Sequence, residues 1–136
     1  MSLEIERLFQ SLFQHMAEGV ALHEVILDAA GKAVNYRILN VNSQYQLFTG
    51  LAPEQVIGKL ATEAYGTSTP PYLEEFTSVG MGAPSHRFET HFAPFNRTYE
   101  ISVAPLGPGY FATIFLDITE RKRNEVALRE NQWFLQ

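Results

Sequence analysis

Three alternating segments near the end of this chain, at residues 86–93, 97–105 and 109–117, most constrain its fold. Phe88, Thr90 and Phe92 alternate with Arg87, Glu89 and His91, and Tyr99, Ile101 and Val103 alternate with Thr98, Glu100 and Ser102. In the last segment Phe111, Thr113 and Phe115 oppose Tyr110, Ala112, Ile114 and Leu116. A period of two puts each set on one face of a strand. Turns at Ala93-Pro94-Phe95-Asn96 and Leu106-Gly107-Pro108-Gly109 separate the segments. The resulting sheet has one face rich in aromatic rings, with isolated hydroxyls at Thr90, Tyr99 and Thr113. Those rings either fill a core or line a small-molecule pocket, whose walls are commonly apolar with a few polar groups.

Upstream elements supply the cover. Leu8, Leu12 and His15 share one helical line and Ile5, Phe9, Phe13 and Met16 the next, which predicts an amphipathic helix ending at Gly19. Residues 20–27 and 34–41 predict a hairpin around Ala29-Ala30-Gly31-Lys32. Asn42 is placed to cap a short helix ending near Gly50, and Pro53 to open a second that Gly58 closes. A third helix is expected through about Val79, capped by Thr69 and stopped by Gly80, Gly82 and Pro84. This order predicts an α+β fold: a five-stranded antiparallel sheet with short helices on one face, flanked by an N-terminal amphipathic helix and a C-terminal exit helix. The expected divisions are 1–18, 19–117 and 118–136.

At 136 residues the chain is one domain, and 46% hydrophobic content is that of a globular protein. With no cysteine it can form no disulfide, thiolate nucleophile or iron–sulfur site. The net charge is −5, and Arg121, Lys122, Arg123 and Arg129 gather near the end, so the body is acidic and nucleic acid is not expected as its partner. No apolar run reaches the ~18–20 residues of a membrane span, and Glu4 and Glu6 break any signal-peptide pattern, so a cytoplasmic location without membrane contact is expected. No catalytic residue and no metal site is predicted. There is no phosphate-binding Gly loop or nucleophile elbow, Glu74 and Glu75 point apart on a helix, and His15, His23, His86 and His91 have no ligand spacing. Glu89 and Glu100 are expected to face each other across a strand pair, near Arg87 or Arg97.

The last strand, Tyr110 to Asp117, delivers the chain straight into a charged helical run from Ile118 onward. Asp117 and Glu120 have capping-box spacing. Residues that cannot make a core of their own suggest an output arm. Leu128 and Leu135 lie one heptad apart, with Asn124 and Asn131 at the other seam position, a two-stranded pairing pattern.

The string Asp117-Ile118-Thr119-Glu120-Arg121-Lys122-Arg123 resembles the exit motif of PAS sensory domains. The resemblance continues in Glu18-Gly19 with Ala21-Leu22-His23-Glu24, in Tyr36-Arg37-Ile38-Leu39-Asn40-Val41-Asn42, and in Phe48-Thr49-Gly50 and Val56-Ile57-Gly58-Lys59. Arg87-Phe88-Glu89, Asn96-Arg97 and Tyr99-Glu100 resemble the paired later strands of a bacterial subgroup. It implies a pocket between sheet and helices, for which Tyr45, Phe48, Tyr65, Phe76, Phe88, Thr90, Tyr99, Ile101, Phe111, Thr113 and Phe115 are the candidates. It also implies a relay through Asp117, Thr119 and Arg121 to a dimeric exit helix with its seam at Asn124, Leu128, Asn131 and Leu135.

Light-sensing relatives use a cysteine for a flavin adduct and a Gln on the final strand, where this chain has Phe115. Haem-binding relatives take a His from the helix before the third strand, and residues 70–79 hold none. No cofactor is therefore expected, though a small-molecule ligand is. The whole reads as the sensory part of a larger bacterial signalling protein, such as a sensor histidine kinase of a two-component system or a cyclic-dinucleotide enzyme, acting as a homodimer with an output domain elsewhere. The competing expectation is a ligand-free dimerisation or relay module.

Overall fold

A computed structural model describes residues 2–135, with side chains described through residue 130. Helix α1 (Ser2–His15) precedes the hairpin of β1 (Gly19–Leu27) and β2 (Ala33–Val41). Four short helices follow: α2 (Ser43–Thr49), α3 (Pro53–Val56), α4 (Ala61–Tyr65) and α5 (Leu73–Gly80). Then come β3 (His86–Phe92), a 3-10 turn (Ala93–Phe95), β4 (Arg97–Gly107), β5 (Tyr110–Asp117) and α6 (Thr119–Leu135). The five strands lie in the order β2-β1-β5-β4-β3, every pairing antiparallel. The first and last strands in sequence are thus neighbours, and β5 runs through the middle of the sheet.

Local chemistry explains the corners. In the first hairpin the Asp28 carboxylate accepts from the N–H groups of Ala30 and Lys32, each at 2.9 Å, while Gly31 takes φ 82°. Asn42 ties three elements together. Its Oδ1 accepts from Tyr45 N–H at 3.0 Å, capping α2, and from Val20 N–H at 2.9 Å. Its Nδ2 donates to the carbonyls of Phe13 and Glu18, at 2.9 and 3.0 Å. Both polar atoms of this buried amide are engaged, so it is buried with no hydrogen bond unmade and fixes where β1 begins.

Helices α2 to α5 cover one face of the sheet, with α5 packed most closely on β4, β2 and β5. Ile38, Val56, Val79, Val103 and Phe111 are fully buried between the layers. Gly80 ends α5 against this core. A Cβ there would stand 2.7 Å from Val25 Cγ2 and 3.1 Å from Phe111 Cδ1.

The structure departs from the sequence expectations at several points. Helix α4 was not anticipated; it has no capping side chain, and only Glu63 Oε1 reaches back to Leu60 N–H, at 3.0 Å. Thr69 does not cap the third helix of the sequence reading, because α5 starts at Leu73 behind Tyr72, which holds φ 55°. Gly80 is the last residue of that helix, which ends where the glycines at 80 and 82 were expected to stop it. Helix α1 carries the expected apolar stripe, which the sequence leaves to cover either the sheet or a second copy, and in the single chain it does not cover the sheet. It has no buried residue, and Phe9 and Leu12 are 64% and 61% exposed in the single chain.

Candidate functional site

The inner face of the sheet carries the inward sets of β4 and β5, with Tyr99, Ile101 and Val103 beside Phe111, Thr113 and Phe115, all buried. Between these strands and helices α2, α4 and α5 lies a cavity of about 60 Å³. Of the pocket candidates, Tyr45, Tyr65, Phe76, Tyr99, Ile101, Thr113 and Phe115 line it. Phe48, Phe88, Thr90 and Phe111 do not line it, for identifiable reasons. Phe48 packs behind Phe115 at a ring distance of 5.9 Å, and Phe88 packs behind Tyr72 and Phe76. Thr90 is tied to the Tyr72 hydroxyl at 2.8 Å, and Phe111 lies beneath His23.

His23, Tyr36, Thr49, Pro71, Tyr72, Phe92 and Phe95 complete the lining and were not among the candidates. His23 shares the inward face of β1 with Ala21 and Val25, and Tyr36 that of β2 with Ile38, so the period of two already carried both. Phe92 likewise follows Phe88 and Thr90 along β3. Pro71 and Tyr72 stand in a turn and Phe95 in the 3-10 turn, where no periodicity marks them.

The tyrosine hydroxyls of the cavity are spent within the protein. Tyr36 donates to Pro71 O at 2.7 Å and Tyr99 to Phe48 O at 2.8 Å, while Tyr45 and Tyr65 share a hydrogen bond. Burial raises the pKa of Tyr36, Tyr45 and Tyr99, and pushes that of Tyr65 up to about 12, so all four are neutral phenols at pH 7. His23 is 2% exposed, and its Nδ1 is the one buried side-chain nitrogen or oxygen without a partner among the described residues. Burial lowers its pKa to about 3, against a hydrogen bond to the Phe111 backbone that raises it. An unmade buried hydrogen bond of this kind costs about 1–3 kcal/mol. The helix before β3 holds no histidine, but β1 places one, His23, in the core.

The far end of β5 forms the second part of the site. Only Ile118 separates Asp117 from α6. Asp117 Oδ1 accepts from Thr119 N–H at 3.0 Å and from the Thr119 hydroxyl, and Oδ2 faces Arg97 at 3.4 Å. This is a turn closed at the first helical residue, not the capping box with Glu120 that the spacing suggested. Thr119 Oγ1 accepts from Thr98 N–H at 2.9 Å, and Ile118 N–H donates to Thr98 O at 2.8 Å. Both backbone groups of Thr98 on β4 are therefore held by the first residues of the exit.

One turn further, Glu89 on β3 receives Arg121 at 3.1 Å and Lys122 at 2.8 Å, and Lys122 holds its carboxyl below the usual range. Glu89 does stand opposite Glu100, and Arg87 pairs with Glu100, but Arg97 turns to Asp117 instead. The three relay candidates Asp117, Thr119 and Arg121 thus all bridge from the β5 exit to β4 or β3. Of the seam candidates, Asn124 and Leu128 are exposed in the single chain, and the side chains of Asn131 and Leu135 lie outside the described residues. Among the described residues no cluster of His, Asp and Glu could hold a metal, and no helix is long and apolar enough to cross a membrane.

A family profile described as PAS fold matches residues 32–123. A search of curated proteins gives no match. Among solved structures, the PAS domain of BvgS from Bordetella pertussis is 17% identical, covers 95% of this chain and 97% of its own, and has a TM-score of 0.62. A domain of a sensory box sensor histidine kinase/response regulator from Geobacter sulfurreducens is 15% identical over 86% of this chain and 97% of its own, at 0.57. The photoactive yellow protein domain of the sensor histidine kinase Ppr from Rhodospirillum centenum is 22% identical over 83% of this chain and 96% of its own, at 0.52. At such identities the likeness to these structures shows the fold alone.

Proposed function

The chain belongs to the PAS family, a family of sensory rather than catalytic modules, and from that premise we propose that it senses a small molecule held between its sheet and helices and signals through its exit helix. One observation carries the reading: the cavity and the exit junction are built on the same two strands. Phe115 lines the cavity and Asp117, two residues on, opens the exit. Tyr99 lines the cavity and Arg97, two residues back, faces Asp117. A ligand that moves either ring therefore bears directly on the clasp around Thr98. It does so only to the extent that it binds the two arrangements with different affinity.

In this reading the open apolar face of α1 and the exposed seam of α6 pair with a second copy. The exit helix then feeds an output domain of a histidine kinase or a cyclic-dinucleotide enzyme, in the cytoplasm. The chain itself binds neither nucleic acid nor membrane and carries no flavin or haem, so the purified protein is colourless.

Native mass spectrometry of the purified chain, followed by titration with small aromatic compounds, tests the sensing role. Retained or saturable ligand supports it. Failure of every compound to bind favours the second reading, a ligand-free relay module, for which the internally satisfied tyrosines and the small cavity speak.

A further inference from the structure

We propose that Tyr72 is the door of the cavity, and that an apolar, ring-sized ligand gains entry and room when the Tyr72 ring swings out to solvent. The proposal rests on the reading of the cavity as a ligand site and names the residue that moves. With Tyr72 in place the cavity is closed to such ligands. Its volume is about 60 Å³, whereas an apolar cavity that takes benzene measures about 150 Å³. One wall must yield, and the sheet is not that wall. Tyr99, Ile101, Thr113 and Phe115 are buried, on strands that are paired on both sides.

Tyr72 lines the cavity yet is only partly buried, so its ring stands between the interior and solvent. Its backbone holds φ 55° and ψ 37°, and among the described residues only Asn96 shares a positive φ without being glycine. That conformation is strained in a residue with a Cβ. Helix α5 starts here with no capping side chain, so its first turn can unwind and let the strain relax. The preceding residue stays fixed, because Tyr36 donates to Pro71 O at 2.7 Å. The motion is thus confined to Tyr72. Against it stand the packing of the ring on Phe76 and Phe88, at 5.5 and 5.6 Å, and one latch, the 2.8 Å hydrogen bond between the Tyr72 hydroxyl and Thr90 Oγ1. When the door opens, the space of a whole ring is added to the cavity, and a ligand ring can pack on Phe76 and Phe88 in its stead.

The test uses benzene as the probe, with binding to the whole chain followed by NMR at the methyl groups of Ile101 in the cavity wall. Thr90→Val removes the latch without altering the lining, to which Thr90 does not belong. The closed state then loses one net hydrogen bond, the open population rises, and benzene should bind about fivefold more tightly than to the wild type. Thr90→Ser keeps the hydroxyl and should bind as the wild type does. Tyr72→Gly removes the door and suits the positive φ, so it should bind benzene more tightly than the wild type, and it decides where Thr90→Val does not fold. Benzene bound no more tightly by Thr90→Val than by the wild type and Thr90→Ser would overturn the door while leaving the cavity as a ligand site. If benzene perturbs the Ile101 methyls in none of the four proteins, the ligand-site reading falls and the door falls with it.

Discussion

Tyr99 and Asp117 stand directly opposite each other on β4 and β5, so a single cross-strand step joins the cavity wall to the start of the exit helix. The Tyr99 hydroxyl reaches across the cavity to the last turn of α2, donating to Phe48 O at 2.8 Å. The Asp117 carboxylate closes the turn from which α6 leaves. Helical cover, sheet and exit are therefore connected through one pair of residues.

Asp117→Ala removes two hydrogen bonds to Thr119 and the approach of Arg97. A loss of about 0.5–2 kcal/mol is expected, as for other helix-start residues. Urea denaturation measures it. In the intact signalling protein the same change should alter output by more than the stability loss explains, and equal losses in both would reduce Asp117 to a structural cap.

Gly19→Ala should deform the cavity from outside its lining. The Gly19 backbone lies under the Phe115 ring, and an added Cβ would stand 2.6 Å from its tip. The ring must shift, at a cost of about 1–3 kcal/mol for overpacking. Ring-current shifts of cavity residues should change in the variant, with the hairpin at Asp28 undisturbed.

His23 makes the fold sensitive to mild acid. Its pKa is about 3 in the folded chain against 6.5 when free, so the unfolded state takes up the proton first. The stability owed to the neutral ring is fully present above about pH 6.5 and falls below it by up to about 1.4 kcal/mol per pH unit. Between about pH 6.5 and 5, before most carboxylates titrate, His23→Phe should flatten the wild-type decline. A parallel decline in both proteins would show that His23 is not its source.

The open stripe of α1 is the expected partner surface. Phe9→Glu with Leu12→Glu adds charge where neither side chain is buried in the single chain, so folding should be retained while self-association weakens. Sedimentation checks this, and an unaltered dimer would move the interface away from α1.

The fold was legible in the sequence wherever periodicity or turn chemistry acted locally. All five strands and the caps at Asn42 and Gly50 fall where alternation and capping residues place them. Helix α4 was not legible, because five residues without a capping side chain leave no pattern to read. The cavity was half legible for a related reason. Alternation says which residues face inward, but not which ring lies in front of another, so Phe88 and Phe111 were counted as lining although they stand behind Tyr72 and His23. His23 itself was passed over as an ordinary histidine, although its place between Ala21 and Val25 on β1 pointed it into the core.

The central claim is that the contents of the cavity set the state of the exit junction. Thr113→Ile fills the cavity from the inner face of β5 without needing a ligand. The direct measurement is amide hydrogen exchange at Ile118, whose N–H is bound to Thr98 O, against Ile38, whose N–H is bound to Lys59 O away from the junction. The account predicts that protection at Ile118 changes relative to Ile38 in the filled variant. Equal changes at both amides, or none at Ile118, would contradict it.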